Sequence, residues 1–260
     1  MSLELRQDSP VTWLASYPRS GNTLLRIILK RCFGLTSQSV YDDAEFSDAA
    51  LRDVVGHEAV GDDPARFLRK AQEERRRLYV KTHELPPGDR HPVIYVVRDG
   101  RAAVVSHIHF LREIMKRDVT ARDVICGTMG ISWSQHVRAW TLPLRPGTLI
   151  VRYEDLAIGE AGTLKKISAF IGVPQREAFD ISFDRLHALA PIFFRSGSNR
   201  KNIAELDNEA EQLFEKIHGV TLRALGYGAA GRQEFGNAAQ HLSNRPSAAK
   251  LIEVWDNSTS

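Results

Sequence analysis

The chain has 260 residues, 43% hydrophobic and 26% charged, with a formal net charge of +3. It can bury a full core, and its mild basic excess suits an anionic ligand without arguing for nucleic acid. It contains no apolar run of about 18 residues that would span a membrane. Its amino-terminal MSLELRQDSP lacks an apolar signal region, and two cysteines, Cys32 and Cys126, make no disulfide framework. The expected setting is therefore a reducing cytoplasm.

The first element is a β-rich run, Val11 to Tyr17, ended by Pro18. A polar turn, Arg19-Ser20-Gly21-Asn22-Thr23, leads straight into an apolar helical run, Leu24–Phe33. Strand, tight glycine turn and helix aim free backbone N–H groups at an anion. The turn lacks the G-x-x-x-x-G-K-[ST] of a nucleoside-triphosphate loop, so its ligand is not expected to be Mg-ATP. Further strands are expected at Leu78–Thr82, Pro92–Val97 and Leu149–Tyr153, all nearly continuous in apolar residues, as buried parallel strands are. Helices are expected at Ala65–Arg76, Arg101–Lys116, Ser132–Leu142, Thr163–Ile171 and Asn208–Leu225. Asp99 is placed to cap the Arg101 helix, and Gly34 and Gly172 to end the helices before them. The alternation predicts an α/β fold: a single domain over residues 1–228 with a doubly wound parallel sheet of four or five strands flanked by helices. Ligands then bind at the strands' carboxyl ends, where the motifs fall. Residues 229–260, richer in Ala, Asn, Ser and Gln, read as a tail or docking helix. The basic cluster Arg66, Arg69, Lys70 and Arg75–Arg77 alternates with Glu73 and Glu74 and reads as a solvated helix face, with a surface for an acidic acceptor as the minority alternative.

Six segments taken in order resemble the PAPS-dependent sulfotransferase superfamily, PAPS being 3′-phosphoadenosine 5′-phosphosulfate. Tyr17-Pro18-Arg19-Ser20-Gly21-Asn22-Thr23-Leu24 resembles the family's 5′-phosphosulfate loop, a P-loop-like turn written roughly Y-P-K-S-G-T-T-W. Lys81-Thr82-His83 matches its K-T-H strand end. Arg98 and Ser106 keep the spacing of its 3′-phosphate arginine and serine. Trp133 to Trp140, Tyr153-Glu154-Asp155, and Phe193-Phe194-Arg195-Ser196-Gly197 with Ser182-Phe183 resemble its later motifs.

The resemblance implies roles residue by residue. Arg19 stabilises the leaving 5′-phosphate beside Ser20, Gly21, Asn22 and Thr23, although the family usually has lysine there. Lys81 donates to the transferring sulfuryl group. His83 is the general base, with Glu84 as a competitor. Arg98, Ser106 and Arg195, with Gly197, form the 3′-phosphate site; an ion pair of Arg98 with Asp99 or Asp155 is the plain alternative. Tyr153, Phe183 and Phe193 line the adenine. The family's stacking tryptophan is Leu24 here, so adenine packing differs. His136 stands on the acceptor side, where a packing role is the alternative. PAPS is the expected co-substrate and no metal is expected.

Two other function classes compete: a nucleotide-binding module that has lost transfer, suggested by Leu24 and Ser196, and a P-loop small-molecule kinase, opposed by the missing magnesium motif. The acceptor is expected to be a hydroxyl on a small molecule, glycan or lipid, entering through Thr36 to Arg76 and Phe110 to Met129. No nucleic acid and no membrane span are expected, and a homodimer is left open.

Overall fold

The structure, a computed structural model, describes residues 10–41, 48–60, 64–142, 147–195 and 198–228. Residues 229–260, Asp42, Asp43, Glu45, Ser196 and Gly197 lie outside the described residues. In chain order the elements are β1 (Val11–Ser16), α1 (Asn22–Phe33), β2 (Gln38–Ser39), α2 (Ala49–Val55), α3 (Pro64–Glu73), β3 (Leu78–Thr82), β4 (Val93–Val97), α4 (Gly100–His109), α5 (Ala121–Cys126), α6 (Trp133–Thr141), β5 (Thr148–Arg152), α7 (Tyr153–Ala157), α8 (Ala161–Ile171), α9 (Phe183–Leu189), α10 (Asn199–Ile203) and α11 (Asn208–Ala224). The chain divides into two compact units, Met1–Arg98 with Ala139–Gly197, and Asp99–Arg138 with Ser198–Ser260.

The first unit holds a five-stranded sheet of order β2-β3-β1-β4-β5, parallel at every pairing. The register sets Ala15 opposite Thr82 and Tyr95. β1 is central, so successive connections run outward to both sides of it, which opens a crevice at its carboxyl end. Residues alternate between faces, as the pleat requires. Leu14, Ile94, Val96 and Val151 pack with α1 and α8 in the main core, while Val11 and Leu78 pack with Ala71 of α3 in a second cluster. The sheet is thus flanked by helices on both faces.

α1 is apolar enough to be buried nearly all round: Leu24, Leu25, Ile27, Ile28, Leu29, Cys32 and Phe33 are all buried. Burying each Leu, Ile or Phe contributes about 1.5–3 kcal/mol. Even Arg26 is fully enclosed, its Nε donating to Ser37 Oγ at 2.8 Å and its Nη2 2.8 Å from His57 Nδ1. Gly34, at φ 69°, ends α1 with its N–H bonded to Lys30 O. In the basic cluster, Arg76 Nη1 donates to both carboxylate oxygens of Glu58 at 2.7 and 2.8 Å, and Lys70 pairs with Glu74 across one turn.

The second unit is helical. Trp133 lies against Gly100: a Cβ there would meet its indole at 2.5 Å. Asp99 caps α4 as expected and also holds Arg101, Oδ2 accepting from Nη2 at 2.7 Å. The expected α-helix to Lys116 instead stops at His109, and Phe110–Ile114 continues as a π-helical turn, Met115 N–H bonding back five residues to Phe110 O. Two expectations on strands also shift. β2 carries no hydrophobic signal, being two polar residues, and the Leu149 strand ends at Arg152 so that Tyr153 opens a helix. No helix among the described residues is long and apolar enough to cross a membrane.

Candidate active site

The crevice at the carboxyl end of β1 is lined by the Tyr17–Thr23 loop. Arg19 sits at φ 64° and Gly21 at φ 104°, so two left-handed residues fold the chain back within three positions. A non-glycine residue pays strain in that region. The arginine peptide is held there by Arg98, whose Nη1 donates to Arg19 O at 3.0 Å. Gly21 is required on a second count: a Cβ would lie 2.6 Å from Tyr153 Cδ2. Arg98 in turn stacks its guanidinium over the Tyr153 ring at 4.3 Å. Arg98 is nearly buried, so it is a fixed charge beside the loop.

The amino end of α1 has no side-chain cap and no acidic residue in its first turn. Its first internal bond is Leu25 N–H to Gly21 O, which leaves the preceding amides of the helix start open to an anion. Ser20 Oγ is 1% exposed and has no hydrogen-bond partner. A buried hydroxyl without a partner costs about 1–3 kcal/mol. Open amides, an orphaned hydroxyl and a bare glycine fit a phosphate or sulfate group. Asn22 is spent differently: its Nδ2 donates to Leu14 O at 2.8 Å and Ser16 Oγ at 3.3 Å, tying the loop to β1.

Arg19 does not extend alone into the crevice. Its Nη2 donates to Ile192 O at 2.5 Å and Phe193 O at 3.3 Å, and its guanidinium lies 5.9 Å from the Phe193 ring centre. It therefore fastens the 192–195 segment, which carries Phe193 and Arg195, to the loop. Tyr153, Phe183 and Phe193 are partly buried against the main core, Phe183 stacking on His187 at 6.0 Å.

Beside the loop, at the end of β3, stand Lys81 and His83. Lys81 is 6% exposed and its Nζ lies 5.4 Å from the Tyr41 ring centre. His83 Nδ1 lies 2.8 Å from Ser16 O. A carbonyl only accepts, so Nδ1 carries the proton and donates, and Nε2 keeps its lone pair. His83 is thereby in the tautomer a base needs. Glu84 Oε1 accepts from Tyr41 Oη at 3.0 Å, and Glu84 O accepts from Trp140 Nε1 at 2.9 Å. Tyr41 was not legible in the sequence, an aromatic inside an acidic, otherwise variable stretch.

Ser106 and His136 belong to the second unit. Ser106 lies on α4 and is nearly buried; His136, on α6, has no exposed surface.

Residues 9–220 match the model of the family described as "Sulfotransferase domain". The chain is 30% identical over 185 residues to flavonol 3-sulfotransferase of Flaveria bidentis, covering 62% of this chain and 56% of that protein. It thus spans about half the length of the curated relatives it matches. Its fold is similar to that of mouse sulfotransferase SULT7A1, solved with PAP, at 19% identity and a TM-score of 0.58 over 82% of this chain and 85% of that one. Retinol dehydratase, solved with androsterone and PAP, gives 19% identity and 0.54 over 84% and 81%. With four-fifths of its length matched to one family model, the chain belongs to the sulfotransferase domain family.

Proposed function

We propose that this chain moves a sulfuryl group from PAPS, in line, to an acceptor hydroxyl, and that residues 1–228 are its sulfotransferase domain. The observation that carries this is the tether of His83 Nδ1 to Ser16 O, which seats an imidazole in its Nδ1–H tautomer beside an uncapped anion loop. In the reaction the bond from sulfur to the 5′-phosphate oxygen breaks and one from sulfur to the acceptor oxygen forms. The acceptor's proton goes to His83 Nε2, and PAP leaves as the bisphosphate. Catalysis of this kind is chiefly positioning and charge stabilisation.

The open amides of α1 and Ser20 Oγ would hold the 5′-phosphosulfate, with Gly21 and Thr23 allowing its approach. Lys81 would donate to the sulfuryl oxygens as charge moves toward the phosphate. Arg98, with Arg195, would take the 3′-phosphate, and Tyr153, Phe183 and Phe193 the adenine. Arg19 would reach the leaving phosphate only by releasing its carbonyl partners. The acceptor is a hydroxyl on a small molecule, glycan or lipid. Two free cysteines, Cys32 buried and Cys126 half-buried, support a reducing, cytoplasmic setting.

A nucleotide-binding module without transfer is the second reading, favoured by the engagement of Arg19 with Ile192 O and Phe193 O. Calorimetry with PAP, AMP and ATP tests the first. Micromolar PAP binding that exceeds both mononucleotides and is lost at least about tenfold in Arg98→Ala is expected, a charge-assisted contact being worth about 1.5–3 kcal/mol. Equal or tighter ATP binding, or no PAP binding, overturns it. PAP binding with wild-type behaviour unchanged by His83→Ala in a PAPS turnover assay would favour the module.

A further inference from the structure

Tyr41 follows β2, far in sequence from the K-T-H strand end, yet it touches each of that segment's chemically active residues. Its hydroxyl accepts from the His83 backbone N–H at 2.8 Å and donates to Glu84 Oε1 at 3.0 Å. Its ring stacks on the His83 imidazole, centroids 5.9 Å apart and planes 22° apart. The Lys81 ammonium lies 5.4 Å from the same ring, within cation–π reach. We propose that Tyr41 is the positioning residue of the site: one phenol fixes the backbone and ring of His83 and turns the Glu84 carboxylate away from the base's role.

The assignment rests on the sulfotransferase reading for its purpose, though not for its geometry. A phenol has one proton to give. Its donation to Glu84 leaves only lone pairs for the His83 N–H, so the two bonds are mutually consistent in one protonation state. Burial, with the Glu84 carboxylate alongside, pushes the Tyr41 hydroxyl up to about 12, so it keeps its proton at neutral pH. The far side of the dipeptide is held as well: Trp140 Nε1 donates to Glu84 O, and Trp140 is fully buried with its indole stacked on Tyr95 at 6.4 Å. His83–Glu84 is therefore gripped at its N–H by one aromatic side chain and at its C=O by another. With Nδ1 tethered to Ser16 O, the imidazole has little rotational freedom left. A tyrosine that merely filled space would need its ring alone. The hydroxyl's two bonds to His83 and Glu84 are what the proposal adds.

The test uses the full chain with nitrogen-15 histidine and reads the His83 tautomer by long-range nitrogen–proton spectra, alongside amide exchange. No acceptor has to be known. Wild type is expected to show the Nδ1–H tautomer alone. Tyr41→Phe, which keeps the ring, is expected to populate the Nε2–H tautomer measurably and to speed His83 amide exchange about fivefold to tenfold, the effect of one lost neutral hydrogen bond. Glu84→Gln, which still offers Oε1 to the phenol, is expected to behave as wild type. An unchanged tautomer in Tyr41→Phe overturns the proposal, as does a Glu84→Gln variant as loose as Tyr41→Phe. Should the Phe variant fail to fold, Tyr41→Trp supplies a ring without the hydroxyl in place and is held to the same expectation. Calorimetry with PAP on the same samples separates the two readings. Failure of wild type to bind PAP removes the sulfotransferase function and leaves the tautomer result standing, whereas intact PAP binding with an unchanged tautomer removes Tyr41 alone.

Discussion

Two buried polar regions of this chain are built on opposite terms. At the Tyr17–Thr23 loop, Ser20 Oγ and Asn22 Oδ1 are buried without partners and α1 starts without a cap. In the helical unit, His218 is fully buried with both ring nitrogens satisfied: one accepts from Ser134 Oγ at 2.7 Å and the other donates to Ile125 O at 2.9 Å. Most α-helices with an assigned start bring their own cap; α8, for one, has the Glu160 carboxylate accepting from the N–H groups of Gly162 and Thr163. The contrast sets a polar group paired within the fold, His218, beside polar groups that the proposed ligand would satisfy. The first kind loses stability when mutated, and the second loses affinity.

The largest expected effect is on pH dependence. Burial pulls His218 down to about 4, against an ordinary value near 6.5. The unfolded chain then binds a proton between these values that the folded one refuses. Stability from this residue is complete above about pH 6.5 and is lost as the pH falls toward 4, by up to about 3 kcal/mol. Urea melts at pH 7 and 4.5 measure it, and in His218→Gln this part of the slope should vanish. If the slope survives the substitution, the pocket is not the sink the comparison requires.

Gly21→Ala comes next. The left-handed φ and the 2.6 Å approach to Tyr153 make both fold and ligand suffer, with about 2 kcal/mol lost to strain and at least about a 100-fold weaker PAP affinity. Thermal melts with and without PAP read the two effects separately. Ser134→Ala strands His218 Nδ1 and should cost about 1–2 kcal/mol in a urea melt while PAP affinity stays level. Ser20→Ala is the sharpest inversion. Removal of an unsatisfied buried hydroxyl should raise ligand-free stability by up to about 1 kcal/mol and weaken PAP about tenfold. A loss of stability in that variant would show that Ser20 belongs with His218 after all.

Much of this was legible because the signals were periodic or punctuated. Continuous apolar runs marked β1, β3 and β4, and Gly34 and Gly172 marked helix ends that the structure reproduces at φ 69° and 70°. β2 escaped because it is a polar, two-residue edge strand, its short backbone pairing with β3 supplemented by Gln38 Oε1 accepting from Tyr79 N–H. The short helices α2, α7 and α10 are too brief for a 3.6-residue period to show. At the candidate site, Lys81, His83 and Arg98 could be picked out from the sequence as candidates, but their partners could not. That Arg19 turns to the Ile192 and Phe193 carbonyls, and that Tyr41 reaches His83, depends on contacts between residues remote in sequence. Only folding brings such pairs together.

The strand order has a consequence for how the chain is made. β1 leaves the ribosome before the other strands of its sheet, and both its neighbours, β3 and β4, are translated much later, with β2, α2 and α3 in between. Val11 waits for Leu78, its partner in register, as an unpaired apolar strand. Pairing at such distance carries a loop-closure penalty and folds slowly. During that interval α1, equally apolar, is already synthesised and can shelter it. Nascent-chain yield should therefore be more sensitive to polar substitutions in β1 and α1 than to equal ones in β5, whose partner strand is already present when it emerges.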